Sequence, residues 1–248
     1  MSAGALTRDS GFIINSTLSA AEASRLFAAR YRIIGRNVKS TSEVILSIEA
    51  GVLGGSVSIR TEGRVFSYSG GTESTPKAEF LLPRIDELIR QAAVSPKDVK
   101  RIVVSAGPGS FTGIRIGIAT ALGLAKAVGA SVKQLPLLPA MASAAEGVVC
   151  ASVPVGRGML ASQLFEVAAD SISAITPAFL HASIDTLQAN IGDAEVGYFV
   201  SLKGVAHLDA SASNTIEIAN FAEQLILAAD DSRIAESEPI LLSKPTNV

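Results

Sequence analysis

The chain has 248 residues, 48% of them apolar, with 21 Lys and Arg against 23 Asp and Glu. That length and apolar content suffice for one large or two small α/β domains with a substantial core, and they exclude an intrinsically disordered chain. A formal net charge of −2 gives no global attraction to nucleic acid or anionic membrane, and a single cysteine, Cys150, excludes an internal disulfide. No run reaches the ~18 uninterrupted apolar residues of a membrane span, so a soluble protein with no membrane partner is expected.

Residues 1–42 form a basic arm, in which Arg8, Arg25, Arg30, Arg32, Arg36 and Lys39 face only Asp9 and Glu22. Within it Ser19-Ala20-Ala21-Glu22 is a capping-box pattern ahead of Leu26, Phe27 and Ile33, which predicts a short amphipathic helix. An appended arm, an organelle-targeting peptide and a docking segment for a partner or RNA all fit this composition.

The first folded unit is expected over residues 43–134. An apolar strand over 43–49 is followed by 54–61, where Ser56, Ser58 and Arg60 alternate with Val57 and Ile59, the pattern of a half-exposed hairpin strand. A third strand over 64–68, a polar loop, a helix over 80–93, a strand over 101–105 and a helix ending near Gly129 complete a β-β-β-α-β-α order. Leu135-Pro136-Leu137-Leu138-Pro139 then reads as a link into a second unit, 135–248. There strands are predicted over 148–153, 159–167, 171–175 and 195–201, and helices over 184–191 and 215–229. Cys150, in the apolar run Val148-Val149-Cys150-Ala151, reads as a buried small hydrophobe.

The most informative stretch runs from Val103 through Gly107-Pro108-Gly109-Ser110-Phe111-Thr112-Gly113 to Ile114-Arg115-Ile116-Gly117. An apolar strand passes through a glycine-rich turn directly into a helix. Gly107 and Gly109 permit backbone angles that a Cβ forbids, and the turn delivers the chain to the positively polarised start of the helix. Such a corner is either structural or an anion cradle. It lacks the Gly-Lys-Ser/Thr of a P-loop, and its last spacing is one residue too long for the dinucleotide fingerprint.

From Ile102 to Ala127 the chain resembles the TsaB (YeaZ) family, whose hallmark G-P-G-S-F-T-G-[LIV]-R-[IV]-G-[IV] is matched at every position from Gly107 to Ile118. The likeness extends more loosely from Val44 to Val248, through Phe80-Leu81-Leu82-Pro83-Arg84-Ile85 and the closing Glu238-Pro239-Ile240-Leu241-Leu242. It implies a two-lobed α/β fold of the actin/Hsp70/sugar-kinase (ASKHA, ribonuclease-H-like) superfamily. It also implies a partner subunit, without catalytic residues of its own, for a TsaD-like enzyme that transfers a threonylcarbamoyl group to adenosine 37 of tRNA. The implied associates are the TsaD-like protein, a TsaE-like ATPase, a second copy when the chain is alone, and tRNA through the complex. The implied compartment is the cytoplasm, with organelle targeting by the arm as the alternative. On this likeness Gly107, Gly109, Ser110, Thr112 and Gly113 shape the corner, with backbone N–H groups facing any bound phosphate.

Two departures from the family pattern bear on cofactors. Relatives open with a strand ending in Asp-Thr, where the Asp orders a nucleotide's metal in active superfamily members. Here the run is Ile48-Glu49-Ala50-Gly51, which lengthens the acid and removes the hydroxyl. Glu49 is therefore a weak cofactor-binding candidate or a solvated strand end, and no cofactor beyond weakly bound nucleotide is expected. In Pro154-Val155-Gly156-Arg157-Gly158-Met159, Arg157 and Gly158 match the family but its flanking acids are absent.

Catalytic hardware is sparse. His181 and His207 are the two histidines and lack the H-x-x-x-H spacing of a metal site, so no metal is expected, and no nucleophile elbow is present. Gly113, Gly117, Ala121 and Ala125 instead recur every four residues beside a ridge of Ile114, Ile118 and Leu122. That surface suits close packing, either on the chain's own sheet or against a helix of another subunit. The resemblance favours the second use and makes Ile114, Gly117, Ile118, Ala121 and Leu122 interface candidates. Arg115 is placed to bind phosphate or pair with a carboxylate. The readings from other classes are a small ASKHA phosphotransferase and a divergent M22-like protein with another partner.

Overall fold

The computed structural model describes residues 43–62, 64–70, 78–203 and 214–239, so the basic arm, His207 and the closing Ile240-Leu241-Leu242 lie outside the described residues. The first sheet has the order β3-β2-β1-β4-β5, from β1 (Val44–Glu49), β2 (Ser56–Thr61), β3 (Arg64–Ser69), β4 (Val99–Ser105) and β5 (Ser131–Leu135). β1, β4 and β5 run parallel and β2 antiparallel to both neighbours. Helices α1 (Ala78–Gln91) and α2 (Phe111–Val128) connect them.

After the short helix α3 (Leu137–Ala142), a second sheet follows with the order β11-β10-β6-β7-β8. It is built from β6 (Gly147–Gly156), β7 (Met159–Val167), β8 (Ile172–Ala174), β10 (Tyr198–Leu202) and β11 (Thr215–Ile218). The strand β9 (Phe179–His181) also pairs with β7. Helices α4 (Ile184–Ile191) and α5 (Phe221–Ala228) are the remaining α-helices among the described residues.

The period-two alternation of β1 and β2 sorts their side chains between two cores. Val44, Leu46, Ile48, Val57 and Ile59 face one way and pack with Ile85 and Leu88 of α1 and Ala121 and Ala125 of α2. Ile45 faces the other way, into a larger core that joins Leu137, Leu138 and Met141 of α3 to Leu225 and Ile226 of α5 and to Val149, Ala151 and Phe165 of the second sheet. A third cluster, Cys150, Leu164, Leu187 and Ile191, seats α4 on the outer face of that sheet.

Several expectations are corrected. Ser56, Ser58 and Arg60 are buried, not exposed: α5, from the far end of the sequence, covers this polar face of β2. Ser56 Oγ accepts from the Ala222 N–H at 3.1 Å, and Arg60 pairs with Asp230 at 3.0 Å. Alternation therefore marked two different buried environments, one apolar and one polar. The helix expected over 215–229 divides into β11 and α5 at Asn220, whose side chain caps α5 by accepting from the Glu223 N–H. The link at Leu135–Pro139 is instead the end of β5 and the start of α3; with only Val132 and Leu135 apolar, the strand Ser131–Leu135 carries too weak a pattern to predict it.

Candidate functional site

The glycine corner and the end of β1 form one structural unit. Ser110 caps α2, its side chain accepting from the Gly113 N–H at 3.4 Å, and Gly129, at φ +78°, closes the helix in the left-handed region. Gly107 has φ +95° and donates its N–H to Ser105 Oγ, while its carbonyl accepts from the Leu137 N–H at 2.7 Å. The corner is thereby tied to α3.

The side of the corner expected to face a phosphate is filled by the chain itself. The Ser110 N–H donates to the Gly51 carbonyl at 2.6 Å. A Cβ on Gly113 would stand 2.0 Å from the Ala50 carbonyl oxygen, and one on Gly109 2.6 Å from that of Gly51. The glycines at 109 and 113 admit the backbone of the turn after β1, so this packing accounts for them without a ligand. Gly107, Ser110 and Thr112 complete the corner; Ser110 and Thr112 are exposed.

Glu49 is fully buried rather than a solvated strand end. Its Oε1 accepts from the Gly51 N–H at 2.7 Å, and its Oε2 has no hydrogen-bond partner. Burial pushes its carboxyl up to about 8, against the lowering influence of the Gly51 and Val52 amides. A nucleotide's metal does not fit this arrangement, because the carboxyl is folded back onto its own turn and the adjoining glycine corner is closed by backbone.

The small-residue stripe of α2 faces inward. Gly113, Ile114, Gly117, Ala121 and Ala125 are buried, and a Cβ on Gly117 would sit 3.3 Å from Ala50 Cβ and 3.6 Å from Val104 Cγ2. Ile114, Gly117 and Ala121 are therefore corrected from interface candidates to packing residues on the chain's own sheet, which occupies the close approach their size allows. Ile118 is half-buried, and Leu122 is 51% exposed. With Phe111, 45% exposed, and Leu82 of α1, 54% exposed, they belong to the outward surface of the helical layer. The Arg115 guanidinium stacks 3.6 Å from the centroid of the Phe111 ring. The whole α2 is long and apolar enough to cross a membrane, yet its contacts are those of a helix laid on a sheet.

Elsewhere the polar groups serve the interior. His181 Nε2 lies 2.8 Å from Ser162 Oγ, which lies 2.6 Å from Ser152 Oγ, and all three residues are buried. Cys150 is buried too, and burial pushes its thiol up to about 12. Among the described residues no three His, Cys, Asp or Glu side chains gather where they could hold a metal ion. Gly156, Arg157 and Gly158, all with positive φ, form the exposed β6–β7 hairpin tip.

A family model described as "TsaD: tRNA N6-adenosine threonylcarbamoyltransferase" matches residues 74–191, which include the glycine corner and α2. The tRNA threonylcarbamoyladenosine biosynthesis protein TsaB of Bacillus subtilis (strain 168) is 28% identical over 99 residues, covering 39% of this chain and 43% of that protein. The protein of the same name from Escherichia coli (strain K12) is 34% identical over 83 residues, covering 33% and 35%. The solved structure of YeaZ from Pseudomonas aeruginosa superposes with a TM-score of 0.59 at 20% identity, over 81% of this chain and 100% of that one. The chain is similar to the TsaB (YeaZ) proteins over these matched segments. Its sequence matches span less than half the length of these curated TsaB proteins, whereas the YeaZ likeness spans the whole of the solved chain and shows the ASKHA-like fold. In this chain the segment from Gly107 to Ile118 is thus the joint between α2, the β1 turn and α3.

Proposed function

We propose that the chain is the non-catalytic partner subunit of a TsaD-type enzyme in threonylcarbamoyl modification of adenosine in tRNA. The observation that carries this reading is the division of α2 into two faces. Its small residues fix it on the sheet, while Phe111, Ile118 and Leu122 remain on the outside, where only Arg115 and Lys126 of the helix carry charge. Exposed apolar side chains on a rigid helix are suited to binding another protein. The names of the TsaB relatives supply the reaction system, and the likeness to a TsaD family model supports a partner of similar build.

In this role the chain contributes a surface and its rigidity. The TsaD-type partner carries the transfer chemistry, a TsaE-type ATPase joins the assembly, and tRNA is held by the complex. A second copy occupies the same helical face when the partner is absent. The closed corner and inward Glu49 argue against the phosphotransferase reading, since both would have to reorganise before a metal-nucleotide could be seated.

Reconstitution tests this proposal. The chain mixed with the TsaD- and TsaE-type proteins of its own organism should restore threonylcarbamoyladenosine formation on tRNA, and the chain alone should neither modify tRNA nor turn over Mg-ATP. Normal modification by the other proteins without this chain would overturn the reading, as would steady ATP turnover by the isolated chain.

A further inference from the structure

The turn that fills the glycine corner is held from two sides. From outside, the Ser110 N–H binds the Gly51 carbonyl, and the Ala50 and Gly51 backbones rest on Gly113 and Gly109. From inside, Glu49 Oε1 takes the Gly51 N–H, while Val52 and Leu53 continue into the core shared by the two sheets. Glu49 therefore ties together the start of α2 and the packing between the halves of the molecule. Its Oε2 is buried without a partner, an arrangement a neutral carboxyl tolerates far better than an ionised one.

The charged side chains on the surrounding elements are Arg60 on β2, Lys100 and Arg101 on β4, Arg115 and Lys126 on α2, and Glu223 on α5. None is among the influences on Glu49, which are its burial and the Gly51 and Val52 amides. Arg60 and Arg101 are engaged with Asp230, and Arg115 is stacked on Phe111. Among the described residues no neighbouring cation offsets an ionised Glu49.

We propose that Glu49 is an internal latch, whose neutral carboxyl holds the turn after β1 closed in the glycine corner and whose ionisation accompanies release of that turn. Opening exposes Glu49 to water, so each opening event releases its proton wherever the closed form is protonated and the open form is not. The opening constant of the turn accordingly rises about tenfold per pH unit between roughly 4.5 and 8 and levels off above 8.

Amide hydrogen exchange on the full chain, corrected for intrinsic base catalysis, reads this directly. Amides of residues 51–55 and of the first turn of α2 should lose protection about tenfold per pH unit from pH 6 to 8 in the wild type and stay constant in Glu49→Gln. An identical pH response in both proteins would overturn the proposal. Should Glu49→Gln not fold, Glu49→Met supplies a second neutral side chain. Independently of any variant, the spectrum of wild-type protein carrying carbon-13-labelled glutamate should show one carboxyl titrating near 8, and titration of every glutamate in the ordinary range would also overturn it.

Discussion

The Ser47 hydroxyl donates a 2.6 Å hydrogen bond to the carbonyl of Ala222, joining residues 175 positions apart in the chain. It is one of a row of polar contacts by which α5 and the segment after it grip the first sheet. The Asn220 side chain donates to the Tyr68 carbonyl at 3.0 Å, and Lys133 reaches the Ala229 carbonyl at 2.9 Å. Asp230 takes Arg60 and Arg101 together. The first sheet is therefore finished by residues far downstream of its own strands. Ending the chain at residue 219 should remove Ala222, Asn220 and Asp230 as partners of Ser47, Ser58 and Arg60 and take Leu225 and Ile226 out of the shared core, so near-native circular dichroism and dispersed amide spectra are expected to be lost. Ser47→Ala alone should cost about 1 kcal/mol in urea denaturation.

Three glycines of one helix region separate steric from conformational need. Gly113→Ala places a methyl against the Ala50 carbonyl and should destabilise by at least about 3 kcal/mol. Gly129→Ala meets no atom within 4 Å but must hold φ near +78°, a cost of about 1 kcal/mol. Gly123→Ala, in open space in mid-helix, should stabilise by about 1 kcal/mol. Denaturation midpoints of the three variants check the order.

Burial pushes the Asp230 carboxyl up, but hydrogen bonds from Arg60 and Arg101 and their charges outweigh it and hold the group below its ordinary value of 3.8. Because the folded value lies below the unfolded one, the stability this aspartate contributes is present above pH 3.8 and lost as the pH falls through the folded value. The wild type should exceed Asp230→Asn in urea midpoint at pH 6, and the gap should narrow as the pH falls below about 4.

The two faces of α2 predict opposite phenotypes for adjacent substitutions. Ala121→Glu forces a charge between helix and sheet at a site with no solvent access and should prevent folding. Leu122→Glu, one residue on, should leave circular dichroism and the thermal midpoint near wild type but abolish co-elution with a TsaD-type protein. Retained co-elution would place the docking surface on another element.

Local chemistry was the legible part of the fold. The apolar strand running through the glycine-rich turn into a helix ending near Gly129, together with the alternation over 54–61, predicts a strand–corner–helix unit close to the one observed, because those signals act within a few residues. What covers each face depends on contacts between distant positions. Ser56, Ser58 and Arg60 read as solvent-facing because the helix that satisfies them lies more than 150 residues downstream. The glycine corner is ambiguous in sequence for a related reason: glycines needed for a ligand's phosphate and glycines needed for an approaching backbone carry the same sequence signal. Glu49, in sequence either a weak cofactor-binding candidate or a solvated strand end, is buried instead, because its hydrogen-bond donor is a backbone amide, which no residue identity announces. The Phe111–Arg115 stack, by contrast, was available from the i, i+4 spacing of an aromatic and a guanidinium on one helix.

The lone thiol gives this protein a reporter of its own undoing. Cys150 has no exposed surface and sits in the β6 layer beneath α4, with its reactive anion suppressed well beyond neutral pH. A water-soluble thiol reagent should therefore leave the native chain untouched and mark molecules only while the second sheet is open. The labelling rate would then time how often that half comes apart, without an introduced probe or dye.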